Sequence, residues 1–144
     1  MANGDTIKLL RECDAGVRMG ISSIEEVLEY VSDENLKKCL EQNLADNREV
    51  QIEIQELLDE YHDDGKEPST VAKSMSWLKT NIKLTFNESD KVIADLMTDG
   101  CHMGMKSLNK YLNQYQEADE KSKNLTKKLI GVQEKMAECV KKYL

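Results

Sequence analysis

The segment His62–Ser69, with the sequence HDDGKEPS, divides the chain into two parts that both carry a helical pattern. It contains Gly65 and Pro68, and Pro68 is the only proline among the 144 residues. Because Gly and Pro both interrupt regular structure, this cluster predicts a loop, while the scarcity of proline elsewhere predicts long uninterrupted helices. The length favours a single domain over residues 1–144, so this loop and the connection after it decide the topology.

Apolar residues recur at steps of three and four on both sides of this loop, which is the spacing of one face of an α-helix. Before the loop, the pattern predicts two long helices separated by a short gap at Ser32–Asp33. A gap of a residue or two requires an antiparallel hairpin. After the loop, the pattern predicts a short helix over Val71–Phe86 and then two long helices, one over roughly residues 90–115 and one that begins at Asp119.

The short helix decides how the long helices are arranged. A helix of about 17 residues spans roughly 25 Å, which is more than a hairpin needs. The helix over Val71–Phe86 can therefore carry the chain back along the bundle, so that the third long helix runs parallel to the second. That is the single-crossover topology of ferritin-like four-helix bundles. A plain up-and-down arrangement of five helices is the alternative.

The composition argues against several classes of partner. The chain has 20 Lys and Arg against 27 Asp and Glu, a net charge of −7, whereas nucleic acid binding needs concentrated positive charge. No apolar run is long enough for a transmembrane helix, and the first residues do not resemble a signal peptide, so we expect a cytoplasmic protein with no membrane partner. In a reducing cytosol the four cysteines should be small buried hydrophobic side chains. They are Cys13, Cys39, Cys101 and Cys139.

Two parts of the chain resemble a known protein family. The sequences GISSIEE at Gly20–Glu26 and DENLKKCL at Asp33–Leu40 resemble the opening hairpin of a bacterial ferritin-like family of unknown function. The sequence DKVIAD at Asp90–Asp95, followed by Gly100 and then Met105–Lys106, resembles the third long helix of that family. The resemblance covers most of the chain. It implies a bacterial ferritin-like four-helix bundle with a stress-associated role.

A di-iron site in such a bundle uses inward Glu residues and two Glu-x-x-His pairs, drawn from all four helices. Helical wheels place Asp14 inside the apolar arc of the first helix, with Glu25 and Asp46 at the edges of the arcs of the first two helices. The only histidines, His62 and His102, are predicted to point outward, so this set cannot form. We therefore expect no cofactor and no catalytic residue. In the alternative, Asp14, Glu25 and Asp46 are the candidate ligands of a degenerate carboxylate site that holds iron.

The run Cys101–Met105, with the sequence CHMGM, contains ligand types that favour Cu(I). On a helix, however, its Cys and Met residues flank opposite sides of the apolar arc, and His102 faces water. We therefore expect the methionines to fill gaps in the core. Gly100 and Gly104 are four residues apart on the apolar side, which predicts close approach of a neighbouring helix. The alternative is that they mark a groove.

Asn43 and Asn47 lie in the middle of the apolar stripe of the second helix. A buried amide without a hydrogen bond costs about 1–3 kcal/mol, so we expect a satisfied polar layer that fixes the register of the helices. Counting back from the hairpin places Asn47 near Met19 and Gly20, and Asn43 near Ser22–Ser23. The alternative is the remnant of a metal centre in which amides replace carboxylates.

The catalytic motifs that a sequence can reveal are missing. The chain has no Gly-rich phosphate loop, and no nucleophile has an identifiable histidine base. We therefore expect a non-catalytic ferritin-like bundle that acts by association, for example as a homodimer through helix faces, or in a stress-related role. The alternative is a metal-binding or redox member of the ferritin–rubrerythrin superfamily with a degenerate carboxylate site.

Overall fold

The computed structural model describes residues 3–66 and 89–144, and it builds them from helices, turns and short loops. The long helices are α1 (Gly4–Leu28), α2 (Glu34–Glu60), α3 (Ser89–Gln114) and α4 (Glu120–Val140), and a short 3-10 helix at Lys141–Tyr143 follows α4. The four long helices pack against each other around one core, which confirms the prediction of an all-α four-helix bundle. The helix predicted over Val71–Phe86 lies outside the described residues.

Three of the helices begin at a short polar residue that satisfies an open backbone N–H group. The side chains of Asn3, Asp33 and Asp119 each accept a hydrogen bond from the N–H three residues later, at the starts of α1, α2 and α4. Such caps stabilise a helix start by about 1 kcal/mol each. The start of α2 after Asp33 and the start of α4 at Asp119 agree with the prediction, but the gap between α1 and α2 covers residues 29–33 and is longer than the predicted residue or two.

Hydrogen bonds at the two ends of the bundle fix the directions of the helices. At one end, Asp119 before α4 donates its N–H to Thr6 in the first turn of α1, and it accepts a hydrogen bond from Tyr61 at the end of α2. At the other end, Asp90 in the first turn of α3 accepts hydrogen bonds from the N–H groups of Ser32 and Asp33, just before α2. Thus α1 and α4 run in one direction, and α2 and α3 run in the other.

The core contains leucine, isoleucine and valine side chains from all four helices. Leu10, Leu40, Ile93 and Leu129 are fully buried representatives of α1, α2, α3 and α4 respectively. Because each helix buries one apolar stripe, the bundle is held together mainly by the removal of these side chains from water. Across residues 3–66 and 89–144, no helix has the length and apolar character needed to span a membrane.

A disulfide joins Cys39 near the start of α2 to Cys139 near the end of α4. The Cα atoms of this pair lie 6.2 Å apart, within the range that disulfides adopt. Cys39 is half-buried and Cys139 is exposed, so the prediction that all four cysteines are small buried side chains is wrong for this pair. It is correct for Cys13 and Cys101, which are buried free thiols. This pairing could not be predicted from the sequence, because the two cysteines are 100 positions apart. They meet because α2 and α4 pack side by side in opposite directions.

Candidate functional site

A cavity of about 490 Å³ lies between α1 and α3 and reaches the side chains of α2 and α4. This volume is within the range of small-molecule sites, which is about 300–1,000 Å³. Most of the lining is apolar and comes from three of the helices. The apolar lining side chains include Ile24 of α1, Leu96, Met97 and Leu108 of α3, and Leu129 and Met136 of α4.

Glycines on α1 and α3 make room for this cavity. Among residues 3–66 and 89–144, a Cβ atom added to Gly16 or to Gly100 would meet no heavy atom within 4 Å, so no side chain of these residues covers either glycine. A Cβ atom on Gly104 would lie 3.5 Å from the side chain of Gln133 on α4. The expected close approach of a helix therefore describes Gly104, whereas Gly100 marks the groove that was the alternative.

Gly16 and Gly20 also line the cavity, and they form a pair that was not predicted from the sequence. They repeat on α1 the four-residue spacing that Gly100 and Gly104 have on α3. Residues four apart lie on the same face of a helix, so each pair leaves a shallow strip without side chains. Two such pairs on different helices are the sequence signal that could have predicted the cavity.

The α2 wall of the cavity is polar and consists of Asn43 and Asn47, which are 6% and 1% exposed. The Nδ2 atom of Asn43 donates a hydrogen bond of 2.9 Å to the carbonyl of Val132 on α4. The Nδ2 atom of Asn47 donates to both the carbonyl and the Oδ1 atom of Asn43, each at 2.9 Å. The Oδ1 atom of Asn47 has no hydrogen-bond partner among the described residues. The polar layer predicted from the sequence is therefore present but incompletely satisfied.

The unpaired oxygen of Asn47 lies beside α1. A Cβ atom built on Gly20 would lie only 3.0 Å from this oxygen, which confirms the predicted proximity of Asn47 to Gly20. Glycine at this position lets the oxygen pack close to the backbone of α1, where almost none of its surface is accessible to water. An unsatisfied buried acceptor costs about 1–3 kcal/mol, so this amide lowers the stability of the bundle at this point.

Glu12, Lys66 and Tyr111 form a polar group at the end of the cavity near the start of α1. The ammonium of Lys66 pairs with the carboxylate of Glu12, and this hydrogen bond raises the pKa of Lys66. Burial, followed by a hydrogen bond to Glu12, raises the pKa of Tyr111. At neutral pH the ammonium is charged, the phenol is neutral, and the charges of Lys66 and Glu12 offset each other.

Asp14 is fully buried, but it does not line the cavity. It accepts hydrogen bonds from the Nε atom of Arg18 at 3.2 Å and from the backbone N–H of Lys66 at 2.9 Å. Gly65 has a φ of +80°, and a Cβ atom there would lie 2.2 Å from the Oδ2 atom of Asp14, so only glycine lets the chain pass this closely. Asp14 therefore ties the loop after α2 to α1.

The other two candidate metal ligands are engaged elsewhere. Glu25 is exposed and pairs with Arg48 at 3.6 Å, and Asp46 accepts a hydrogen bond from Gln42 at 3.1 Å. Neither lines the cavity, so the structure does not bring Asp14, Glu25 and Asp46 together. In the described parts of the chain, no three His, Cys, Asp or Glu side chains are grouped so that they could hold a metal ion.

The two free thiols are poor nucleophiles. Burial raises the pKa of Cys13 and of Cys101 to about 12, so both are protonated at neutral pH. The thiolate is the reactive form of cysteine, and protonation therefore makes these residues inert. Cys101 lines the cavity and contributes to its apolar wall.

Comparisons with protein-family models, with curated proteins and with solved structures found no match to this chain.

Proposed function

We propose that this chain is a non-catalytic, ferritin-like four-helix bundle that binds a small apolar molecule in the cavity between α1 and α3. The observation that carries the proposal is the cavity itself, which has a volume of about 490 Å³ and a mainly apolar lining. Its one buried acceptor without a partner is the Oδ1 atom of Asn47, as far as the described residues extend. A large apolar cavity with a few well-placed polar groups is the usual form of a small-molecule site.

Two observations support a ferritin-like arrangement. The chain forms two antiparallel hairpins, α1 with α2 and α3 with α4, and α3 runs parallel to α2. The end of α2 and the start of α3 therefore lie at opposite ends of the bundle, as the single-crossover topology requires. The resemblance of Gly20–Glu26, Asp33–Leu40 and Asp90–Asp95 to a bacterial ferritin-like family agrees with this arrangement.

The engagement of the ionisable groups favours binding over catalysis. Asp14 is held by Arg18 and the loop after α2, Glu12 is held by Lys66, and the free thiols are protonated. Over residues 3–66 and 89–144, no observation favours the metal-binding or redox alternative. A bundle of this kind would hold a molecule without changing it.

The test uses N-phenyl-1-naphthylamine, a neutral apolar probe that fluoresces strongly away from water. Gly16→Leu extends a side chain into the cavity, because Gly16 lines it and a Cβ atom there meets no neighbour within 4 Å among the described residues. Gly131→Leu is the matched control, since Gly131 on α4 is equally open but does not line the cavity. We expect saturable binding, one probe per chain, by the unmodified protein and by Gly131→Leu.

For Gly16→Leu we expect at least about tenfold weaker binding of the probe, because the leucine occupies the space that the probe needs. Both variants replace a helical glycine by a better helix former, so thermal unfolding should show both folded. Absence of saturable binding by the unmodified protein would contradict the proposal. Equal affinity of Gly16→Leu and Gly131→Leu would place the probe somewhere other than the cavity and would also contradict it.

Association as a homodimer through helix faces stays a prediction from the sequence. Sedimentation equilibrium tests it, because a dimer would have twice the chain mass of 16.4 kDa. The cytoplasmic location also stays a prediction, and trapping of thiols in intact cells tests it. Disulfides are rare in the cytosol, so a cytoplasmic protein should show Cys39 and Cys139 reduced in cells.

A further inference from the structure

We infer that the disulfide between Cys39 and Cys139 is a reversible modification site for small anionic thiols, which enter at the Sγ atom of Cys139. In this assignment Cys139 is the entry cysteine, which carries the mixed disulfide, and Cys39 is the resolving cysteine, which closes the bond again. The inference goes beyond the proposed function and does not depend on the cavity. The observation that carries it is the unequal exposure of the joined residues, since Cys139 is exposed and Cys39 is half-buried.

The surroundings of the two cysteines on their helices explain this difference. Cys39 lies in the second turn of α2, and the residues three before it and four after it, Leu36 and Asn43, are both buried. Residues at these spacings share one face of a helix, so Cys39 lies at the edge of the buried stripe. Cys139 lies in the last turn of α4, and the residues four before it and three after it are exposed lysines. The rate of thiol–disulfide exchange depends on access to the sulfur that is attacked, which favours Cys139.

The charges near Cys139 also favour an anionic nucleophile. Lys135 and Lys142, the two exposed lysines, lie within about one turn of Cys139. Glu138 is the only acidic residue within four positions of Cys139 in the sequence, and its carboxylate lies 3.8 Å from the ammonium of Lys141. Thiolates are the form of a thiol that attacks a disulfide, and the lysines attract them to this side of the bond.

The exchange proceeds in two steps, each of which forms one S–S bond and breaks another. The thiolate of the small thiol attacks the Sγ atom of Cys139, the bond to Cys39 breaks, and Cys39 leaves as a thiolate that takes a proton from water. A second thiolate attacks the small thiol's sulfur in the mixed disulfide and releases Cys139. The protein is then reduced by two electrons, and the two small thiols are oxidised to their disulfide. In the reverse direction, Cys39 attacks the mixed disulfide at Cys139 and closes the bond.

The other two cysteines of the chain cannot replace an external thiol. Cys13 is fully buried and Cys101 is 5% exposed. Burial raises the pKa of both thiols to about 12, so they are protonated at neutral pH and do not attack a disulfide. The chain has four cysteines in all, so it contains no reactive thiol that could open the bond from within.

The test treats the oxidised protein with glutathione, a small thiol with a net negative charge at neutral pH. The exchange is stopped early with acid, free thiols are blocked with N-ethylmaleimide, and mass spectrometry locates the glutathione. Trypsin cleaves after Lys and Arg, so it releases Cys139 in the peptide 136–141 and Cys39 in the peptide 39–48. We expect at least about tenfold more glutathione on the peptide 136–141 than on the peptide 39–48.

Two single variants test the entry and resolving cysteines separately. In the reduced state, each is treated with glutathione disulfide, and the fold of each is checked by circular dichroism. Cys39→Ser keeps the entry cysteine and should accumulate one glutathione per chain, because nothing resolves the mixed disulfide. Cys139→Ser keeps only the half-buried cysteine of the pair and should react at least about tenfold more slowly.

Three outcomes would overturn the inference. The first is an equal or larger amount of glutathione on the peptide 39–48 in the oxidised protein, which needs no variant to fold. The second is modification of Cys13 or Cys101 before Cys139 in the folded protein. The third is a disulfide that dithiothreitol reduces but glutathione does not modify. None of these outcomes affects the binding of N-phenyl-1-naphthylamine, so the inference and the proposed function can fail independently.

Discussion

The interface between α2 and α4 is held by side-chain hydrogen bonds at both ends, whereas the interface between α1 and α3 contains the cavity. Asp33 caps α2 and accepts a hydrogen bond of 2.9 Å from Tyr143 just after α4. At the other end, Asp119 caps α4 and accepts a hydrogen bond of 2.8 Å from Tyr61 at the end of α2. Each aspartate therefore serves two purposes, since it starts one helix and holds the end of the other.

The α1–α3 side is built differently. Near the start of α1, Asn3 and Asp5 form hydrogen bonds with the backbone of Glu117, in the turn after α3. Further along, Gly16 and Gly100 leave open space between the helices. The α2–α4 interface therefore stabilises the bundle through contacts at both ends, whereas the α1–α3 interface contains the cavity to which we assign ligand binding.

The largest effect that we expect concerns the disulfide on the α2–α4 side. Reduction with dithiothreitol should lower the free energy of unfolding by about 3–5 kcal/mol, because a loop of roughly 100 residues is no longer closed in the unfolded chain. Guanidinium unfolding with and without reductant measures this difference. Cys39→Ser/Cys139→Ser is the control and should show no response to the reductant. If reduction does not change the guanidinium concentration at the midpoint of unfolding of the unmodified protein, the disulfide does not stabilise this interface.

A Leu→Ala substitution should lower the free energy of unfolding by different amounts in the tightly packed core and beside the cavity. Leu40 on α2 is fully buried, so Leu40→Ala should lower the free energy of unfolding by about 2–5 kcal/mol. Leu96 on α3 is only half-buried and borders the cavity, so Leu96→Ala should cost less than half as much. Urea unfolding of the two variants checks the ratio. Equal losses would mean that the cavity side is packed as tightly as the rest of the core.

Glycine substitutions test the open space itself. Gly16→Ala should raise the free energy of unfolding by about 0.5–1 kcal/mol, because alanine favours the helix and its methyl group meets no atom within 4 Å in the part of the chain that the structure describes. Gly20→Ala should gain less or lose stability, since its methyl group presses on the Oδ1 atom of Asn47 at 3.0 Å. Thermal unfolding of both variants measures the difference. An equal gain from both would show that Asn47 can move aside freely.

The smallest effect that we expect is a pH dependence of the stability, which arises from the carboxylate of Asp119 between α2 and α4. Partial burial raises the pKa of Asp119, but hydrogen bonds from Ser122 and Tyr61 outweigh it and lower the pKa overall. A carboxylate with a lowered pKa contributes stability that is fully present above its unfolded value of about 3.9. This contribution is lost as the pH falls through the lower pKa of the folded state.

Tyr61→Phe should move the pKa of Asp119 upward, towards the ordinary value, because it removes one donor to the carboxylate. NMR titration of the carboxyl carbon measures the shift directly. Tyr143→Phe acts on Asp33 at the opposite end and is the matched control, since it should leave the pKa of Asp119 unchanged. A pKa of Asp119 that is unaffected by Tyr61→Phe would contradict the part assigned to this hydrogen bond.

Local features of the fold could be predicted from the sequence because they depend on residues close together in the chain. The helical spacing predicts the four long helices, and Asp33 and Asp119 are recognisable as caps because they directly precede apolar periodic segments. The positions of Asn43 and Asn47 in the α2 stripe also predict their burial and the proximity of Asn47 to Gly20.

Features that depend on distant parts of the chain could not be predicted in the same way. Asp14 lies on the apolar face, as expected, but its partner is the backbone of Lys66, and no spacing rule relates these residues. The unpaired oxygen of Asn47 results from the carbonyl of Val132, which lies on a different helix. A helical wheel shows which side chains face inward, but it does not show whether a partner or an open space lies opposite them.

The bond between Cys39 and Cys139 turns the greater part of the chain into a covalent ring with two tails. Most of α2, all of α3 and most of α4 belong to the ring, whereas α1 belongs to the longer tail. A single protease cut within the ring therefore leaves one covalent molecule until a reductant is added. A single cut in the turn at residues 29–33 would instead detach α1, and with it one wall of the cavity.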